Sequence, residues 1–308
     1  MDYLKLFLEE TSKMFEHATM KIMQKSMATL DKPRLKKQGP PIYEGSIIEV
    51  IFDEENNTQC DLIYSINQEV IPPTCFMIHG GGLFYGDKSL NIHASVEMAK
   101  RGFNVINLNY PLLEDASVYD QVNTILKAYD FFHQHHLTYS LNMNDVVVMG
   151  DSAGAYLTLI SSILINRKDL IKKYGFVQPN ITIKAIGCIC IMVTLERSDA
   201  LSFLPALAFR EHDDDFFRDV FSSPLKLLKD APPCFVMGSE EDLLKQDTYD
   251  LLTACQSTYH LHEHLIFDKG NKHPLFHVFP ITHVYYDESQ TVFDEMSYFF
   301  KAYQNRIL

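Results

Sequence analysis

Apolar and polar residues follow one another along this 308-residue chain in blocks that predict strands and helices in turn. Short runs, most of them apolar, predict strands at residues 47–52, 62–66, 75–78, 103–108, 146–149, 183–193, 234–238 and 260–267. Apolar residues three or four positions apart predict helices at residues 1–30, 94–101, 118–136, 156–165, 247–257 and 288–303. This alternation predicts an α/β fold, a mainly parallel sheet with helices on both faces and two antiparallel strands at its start.

Two segments differ from this alternation. The first helix is predicted to be amphipathic, and a basic, proline-rich connector is predicted at residues 32–41. Its apolar positions are Leu4, Phe7, Leu8, Met14, Phe15 and Ile22. Residues 195–230 contain an acidic stretch and an apolar, mainly aromatic run: Phe203, Leu207, Phe209, Phe216 and Phe217. No linker divides the chain, so we interpret it as a single domain.

Residues 150–154 (GDSAG) match the pattern G-x-S-x-G between a predicted strand and a predicted helix. This context fits a nucleophile elbow, a sharp turn that strains the serine, here Ser152, and exposes its hydroxyl group. The amide of Ala153 would lie at the helix N-terminus, where backbone N–H groups stabilise a developing negative charge. Asp151 is expected to tune the turn rather than to take part in catalysis.

A glycine motif, residues 79–82 (HGGG), follows the predicted strand at 75–78. Glycines have no side chains that would keep backbone amides away from a substrate oxygen. An oxyanion hole needs two or three such amides, and those of Gly81 and Gly82 are the candidates. His79 is expected to anchor the loop through hydrogen bonds. A flexible glycine turn is the alternative interpretation, and GDSAG downstream favours the oxyanion hole.

Together these motifs resemble the hormone-sensitive-lipase-like carboxylesterases, the HGGG branch of the α/β-hydrolase superfamily. The resemblance runs from about Cys75 to the C-terminus and includes SPL at 223–225, EEDLL at 240–244 and HVF at 277–279. The family's Y-R-L-A-P segment is represented by NYPLL at 109–113, which lacks the arginine. The resemblance implies an α/β-hydrolase fold with a small helical cap from about residues 1–45 and 195–230. The aromatic run would then line the acyl pocket, or it would be ordinary core.

A nucleophilic serine needs a histidine base and a carboxylate that orients the histidine. α/β-Hydrolases supply these residues in the order Ser, Asp or Glu, His. The candidates for the acid, just after the predicted strand at 234–238, are Glu240, Glu241, Asp242 and Asp247. The resemblance assigns Asp242, with Glu241 as the rival. The base is expected before the last helix, where the resemblance assigns His277 ahead of His273 and His283.

Charge and cysteine content narrow the function classes. The formal net charge of −13 disfavours nucleic acid and anionic membrane surfaces as partners. The six cysteines include no C-x-x-C pair, and most lie in apolar runs, where cysteine behaves as a small hydrophobe. The first residues lack the basic region of a secretion signal, and no apolar run approaches the ~18 residues of a membrane span. These features predict a reduced, cytoplasmic protein.

Residues 260–264 (HLHEH) place three histidines on one face of a predicted strand. Such a row can bind zinc, although an exposed strand face is the favoured interpretation. No metal and no organic cofactor are expected.

The expected function is that of a serine carboxylesterase acting on a small, uncharged ester with a short acyl chain. The expected partner is this ester, and the sequence leaves a homodimer open. An amide or formamide hydrolase or a peptidase would use the same triad. A non-catalytic ligand-binding protein on a hydrolase scaffold is the alternative from another class.

Overall fold

The computed structural model of the protein describes residues 3–67, 70–197, 201–210, 212 and 214–304, with side chains from residue 11 onward except that of residue 13. The strands are β1 (Ile47–Asp53), β2 (Thr58–Ile63), β3 (Pro73–Ile78), β4 (Asn104–Leu108), β5 (Asn142–Asp151), β6 (Ile183–Ile189), β7 (Cys234–Ser239) and β8 (His262–Phe267). The helices are α1 (Tyr3–Gln38), α2 (Ile92–Lys100), α3 (Val118–Gln134), α4 (Ala153–Asn166), α5 (Lys168–Tyr174), α6 (Leu204–Ala208), α7 (Asp215–Ser222), α8 (Lys245–Ser257), α9 (Phe279–Thr282) and α10 (Asp287–Tyr303).

The described strands form one eight-stranded sheet in the order β1-β2-β4-β3-β5-β6-β7-β8. Strand β2 pairs antiparallel with β1 and with β4, and the pairs from β4 through β8 are all parallel. The prediction of a mainly parallel sheet that starts with antiparallel strands is confirmed. The carboxyl ends of the parallel strands meet at one edge, where open α/β sheets bind their ligands.

Helices cover both faces of this sheet, each over its own apolar layer. In β5, Val146 and Val148 belong to the layer under α3 and α4, whereas Val147 and Met149 belong to the layer under α2 and α10. All four are fully buried. A central parallel strand is covered on both sides, which explains why its sequence is continuously apolar rather than alternating.

Several predicted boundaries were wrong. The strand predicted at 183–193 ends at Ile189, because Cys190 has a left-handed φ of 47° and turns the chain out of the sheet. Beyond that turn, the amide of Met192 donates a hydrogen bond to the carbonyl of Ser152, at 3.2 Å. The strand predicted at 62–66 instead spans Thr58–Ile63, where it pairs with both of its neighbours.

The connector predicted at 32–41 was wrong over its first part, because α1 continues through Pro33 to Gln38. The Arg34 side chain holds this turn together, with an ion pair to Asp31 at 2.9 Å and a hydrogen bond to Gln38 at 3.1 Å. Pro33 has no amide hydrogen to donate within the helix. The side-chain contacts of Arg34 span the turn where that hydrogen bond is missing.

The predicted apolar face of the first helix was also wrong where side chains are described. Met14, Phe15 and Ile22 are exposed, whereas Met20 is fully buried and Met23 and Met27 pack on the core. The unbranched side chains of methionine fill irregular gaps well, so they form the contact surface of α1. The predicted positions Leu4, Phe7 and Leu8 lie outside the described side chains.

Within residues 195–230, the described part contains α6, α7 and a 3₁₀ helix at Pro224–Asp230. Most of the aromatic run is core, because Phe203, Leu207, Phe209 and Phe217 are buried, whereas Phe216 is 45% exposed. The Phe203 ring lies 5.4 Å from that of Phe84, next to the glycine motif. This segment and α1, which contacts α6, therefore lie near the carboxyl edge of the sheet.

No helix in the described part of the chain combines the length and the apolar character that crossing a membrane requires.

Candidate functional site

Ser152 occupies a sharp turn between β5, which ends at Asp151, and α4, which begins at Ala153. Its backbone has φ 52° and ψ −119°, a conformation that L-residues rarely adopt. A Cβ atom on Gly154 would lie 2.2 Å from the carbonyl oxygen of Ile78, and one on Gly150 would lie 2.5 Å from that of Gly154. The two glycines of GDSAG therefore allow the strand–helix contact that forces the turn.

The structure brings Ser152, His277 and Asp242 together in a hydrogen-bonded row. The distance from Ser152 Oγ to His277 Nε2 is 2.9 Å, and from His277 Nδ1 to Asp242 Oδ1 it is 2.7 Å. Because a carboxylate only accepts, Nδ1 carries the proton, and Nε2 then accepts from the serine hydroxyl. Ser152 and Asp242 are buried, and the His277 side chain is 20% exposed.

The environment of Asp242 keeps it ionised. Burial raises its pKa, but the hydrogen bond from His277, the charge of His277 and the amide of Leu244 outweigh burial, so the pKa lies below its ordinary value. The Leu244 amide donates to Oδ1 at 2.7 Å. An ionised Asp242 stabilises the imidazolium that forms when His277 takes a proton.

Cys190 is a neighbour of this row that the sequence interpretation did not include. Its Sγ atom, one Asp242 carboxylate oxygen and one ring nitrogen of His277 lie within 4.8 Å of one another. Asp242 Oδ2 is buried and has no hydrogen-bond partner within the usual distances and angles among the described residues. The only feature of the sequence that indicates this contact is the position of Cys190, directly after the strand that pairs with β5.

The other candidate acids point elsewhere. The Glu241 carboxylate accepts a hydrogen bond from the Leu275 amide at 2.9 Å. Glu240 forms an ion pair of 3.0 Å with Lys245. Asp247 forms an ion pair of 2.9 Å with the Arg197 guanidinium group. Their partners hold these three carboxylates in the loop and in α8, whereas Asp242 contacts His277.

The other two candidate histidines also have different partners. His273 Nδ1 lies 3.2 Å from Glu288 Oε2, and its ring stacks on Tyr286 at 3.8 Å. His283 Nδ1 lies 2.9 Å from the hydroxyl oxygen of Thr282. Neither histidine is hydrogen-bonded to Ser152.

Asp151 joins the serine turn to the glycine motif. Its Oδ1 atom accepts hydrogen bonds from the Gly80 amide at 3.1 Å and from the Asn91 side chain at 2.7 Å. A Cβ atom on Gly80 would lie 2.4 Å from Asp151 Oδ2, so the loop approaches the carboxyl group as only glycine allows. Burial raises the pKa of Asp151 to about 6, despite these donors. Asn91 was not foreseen from the sequence.

His79 holds the other end of the glycine motif. Its Nδ1–H group donates to the Gly80 carbonyl at 2.8 Å, and its ring stacks on Tyr110 at 4.2 Å. The Tyr110 hydroxyl donates to the His79 carbonyl at 2.7 Å. Burial lowers the pKa of His79 to about 4, so the ring is neutral near pH 7. The tyrosine of the NYPLL segment therefore packs the loop without the family's arginine.

Three backbone amides face no acceptor. Gly81 and Gly82 have φ values of 109° and 64°, and within the described part of the chain their amides make no hydrogen bond. Ala153 is the first residue of α4, so its amide has no acceptor within the helix. Unpaired amides beside a serine hydroxyl group suit an anionic oxygen.

Metal ligands are limited among the described residues. The only three histidine, cysteine or carboxylate side chains close enough to share an ion are Cys190, Asp242 and His277, which belong to the row already described. In the HLHEH segment, His260 donates to the Pro232 carbonyl at 3.0 Å and His262 to the His260 carbonyl at 2.9 Å. Zinc binding by this segment therefore gains no support from its geometry.

Comparisons with known proteins agree with this fold. A protein-family model described as BD-FAE matches residues 60–195, which is less than half of the chain. Esterase B from Lactobacillus rhamnosis superposes with a TM-score of 0.85 at 23% identity, over 93% of this chain and 95% of that chain. A phosphonate-inhibited form of the same esterase gives 0.84 at 23% identity, over 92% and 95%.

A bacterial heroin esterase gives a TM-score of 0.71 at 16% identity and covers 93% of both chains. At these identities the likeness concerns the fold. The chain has the α/β-hydrolase fold, as the sequence resemblance implied.

Proposed function

We propose that this protein is a serine carboxylesterase that hydrolyses small acyl esters at Ser152. His277 removes the proton from the Ser152 hydroxyl group as its oxygen attacks the ester carbonyl carbon. Asp242 keeps the proton on Nδ1 of His277, so that Nε2 is free to act as the base. The observation that carries the proposal is the continuous row of hydrogen bonds through these three side chains, 2.9 and 2.7 Å long.

The amides of Gly81, Gly82 and Ala153 form the oxyanion hole of the proposed enzyme. The carbonyl oxygen becomes negative as the tetrahedral intermediate forms, and these amides donate to it. Asp151 and His79 keep the glycine loop in place through the contacts described above. Because the donors are oriented before the reaction starts, little reorganisation is needed in the transition state.

The alcohol leaves first and the acid afterwards. To complete the first half of the reaction, His277 gives its proton to the leaving alcohol oxygen, the C–O bond breaks, and an acyl group remains on Ser152. His277 then takes a proton from water, whose oxygen attacks the acyl carbon, and returns that proton to Ser152. Acid, alcohol and free enzyme result, and no step needs a metal or an organic cofactor.

We propose short acyl chains as substrates. Esterase B, which shares the fold, is described with a C4-C4 tributyrin phosphonate inhibitor. The segments at about 1–45 and 195–230 serve as the cap of a single domain in this proposal, since Gln24 of α1 donates to the Phe84 carbonyl at 2.6 Å. Six buried free cysteines support the proposal of a reducing, cytoplasmic location.

The test is hydrolysis of p-nitrophenyl acetate and butyrate by the full chain and by Ser152→Ala. Loss of the nucleophile lowers kcat/KM by several orders of magnitude. Matched p-nitroanilides in the same assay separate ester from amide hydrolysis. Substantial activity in a variant with an unchanged circular dichroism spectrum would show that Ser152 is not the nucleophile. No ester hydrolysis by the unaltered protein would favour the ligand-binding alternative.

A further inference from the structure

A cavity of about 480 Å³ lies between the C-terminal part of α1 and the segment that follows α9. Its volume is in the range of pockets that bind small molecules. Arg34 and Lys37 line one side, and His283, Tyr285 and Tyr286 line the other. None of the described lining residues is acidic, although the chain as a whole has a net charge of −13.

The basic side chains give this cavity a positive potential. Arg34 is held in place by Asp31 and Gln38, while Lys37 is exposed and forms no ion pair with any described residue. The pKa of His283 is lowered mainly by burial. The charges of Arg34, His273 and Lys37 lower it further. Asp31 offsets part of the Arg34 charge, so Lys37 supplies the free positive charge of the cavity.

The walls of the cavity are attached to the proposed catalytic centre. Gln38 donates to the carbonyl of Thr282 at 3.2 Å and so ties α1 to α9, which begins two residues after His277. On the same helix, Asp31 adds to the burial that raises the pKa of Tyr85, in the loop after the glycine motif. The charge of Arg34 also partly offsets the burial that raises the pKa of Asp151.

We propose that this cavity binds the carboxylate group of a small organic acid, with Lys37 and Arg34 facing the carboxylate and the rings of Tyr285 and Tyr286 facing its carbon chain. When the carboxylate is part of the ester, a case that rests on the proposed function, the preferred substrate is an ester with a free carboxylate, in place of the uncharged ester expected from the sequence. The carboxylate is either part of the ester or belongs to a separate acid bound beside it.

Two isosteric pairs of esters test the first source. Monomethyl glutarate and methyl pentanoate differ only by a carboxylate or a methyl group at the end of the acyl chain. 4-Acetoxybutanoate and butyl acetate differ in the same way on the alcohol side. We expect kcat/KM to be higher for the anionic member of one pair. Loss of one charge contact in a solvent-like dielectric corresponds to about a fivefold change. Lys37→Gln should therefore lower the ratio of kcat/KM for the anionic ester to that for the neutral ester about fivefold.

Lys36→Gln is the matched control, because Lys36 is an exposed neighbour that does not line the cavity. It removes the same charge and should leave the ratio of anionic to neutral rates unchanged. Equal effects of the two substitutions would mean that only the net charge matters, and this would overturn the proposal.

Calorimetric titration of the Ser152→Ala protein with sodium glutarate tests the second source without catalysis. Saturable binding that Lys37→Gln weakens and Lys36→Gln does not weaken supports the cavity, even if no ester is hydrolysed and the proposed function fails. Such binding without a preference for anionic esters identifies a separate acid as the ligand. If neutral esters are hydrolysed, but neither a preference nor binding is found, the cavity proposal fails and the esterase proposal stands.

Discussion

Replacement of Asp151 by asparagine tests how the serine turn and the glycine loop are joined. Asp151 is 4% exposed, and burial raises the pKa of its carboxyl group from 3.8 to about 6. Asparagine keeps an oxygen that accepts the hydrogen bonds from Gly80 and Asn91, but it cannot ionise. The substitution therefore removes the cost of burying a charge and leaves the two hydrogen bonds in place.

The sign and size of the effect follow from the shifted pKa. The folded protein binds the Asp151 proton more tightly than the unfolded chain does. The stability contributed by this proton is fully present below pH 3.8 and is lost as the pH rises through about 6. A difference of about two pKa units corresponds to about 3 kcal/mol. Because part of this effect is already present at pH 4, the free energy of unfolding of Asp151→Asn, relative to the unaltered protein, should rise by about 2.5 kcal/mol between pH 4 and pH 7.

Urea denaturation followed by circular dichroism at pH 4, 5, 6 and 7 measures this difference. Contributions from other carboxyl groups, including Asp242, are common to both proteins and cancel in the comparison. Glu54→Gln, which removes an exposed charge, is the control for net charge. A difference between Asp151→Asn and the unaltered protein that stays constant over this pH range would refute the argument that burial dominates at Asp151.

Three further predictions concern the triad, the serine turn and the cap. His277→Ala should lower kcat/KM for p-nitrophenyl butyrate by several orders of magnitude, whereas His273→Ala should retain most of the activity, and the reverse order would move the base to His273. Gly154→Ala should lower the free energy of unfolding by about 1–3 kcal/mol in urea, because its Cβ meets a strand carbonyl at 2.2 Å, and an unchanged midpoint would contradict this. Deletion of residues 1–30 should flatten the dependence of ester hydrolysis rate on acyl chain length, and an unchanged profile would mean that α1 only packs on the core.

The sequence alone was sufficient for the features that depend on near neighbours in the chain. An apolar run, a glycine-flanked serine and a second apolar run predict a strand, a tight turn and a helix, because those backbone conformations are local. The antiparallel start and the parallel remainder of the sheet also followed from the order of strands and helices. The boundary of β6 did not, because Cys190 bends the chain around the elbow, and that requirement comes from residues nearly 40 positions earlier.

Only the tertiary structure decided which side chains meet. Four carboxylates lie close together in the sequence at positions 240–247, and the sheet brings Asp242 alone to His277 by a hydrogen bond. The hydrogen bond between Asn91 and Asp151 joins residues 60 positions apart. No pattern in the sequence indicates this contact. The face of α1 that packs on the core contains Met20, whereas the apolar residues Phe15 and Ile22 are exposed. Hydrophobic periodicity indicates which side chains are buried on average. Which side chains contact each other depends on distances that are fixed only when the helices have packed on the sheet.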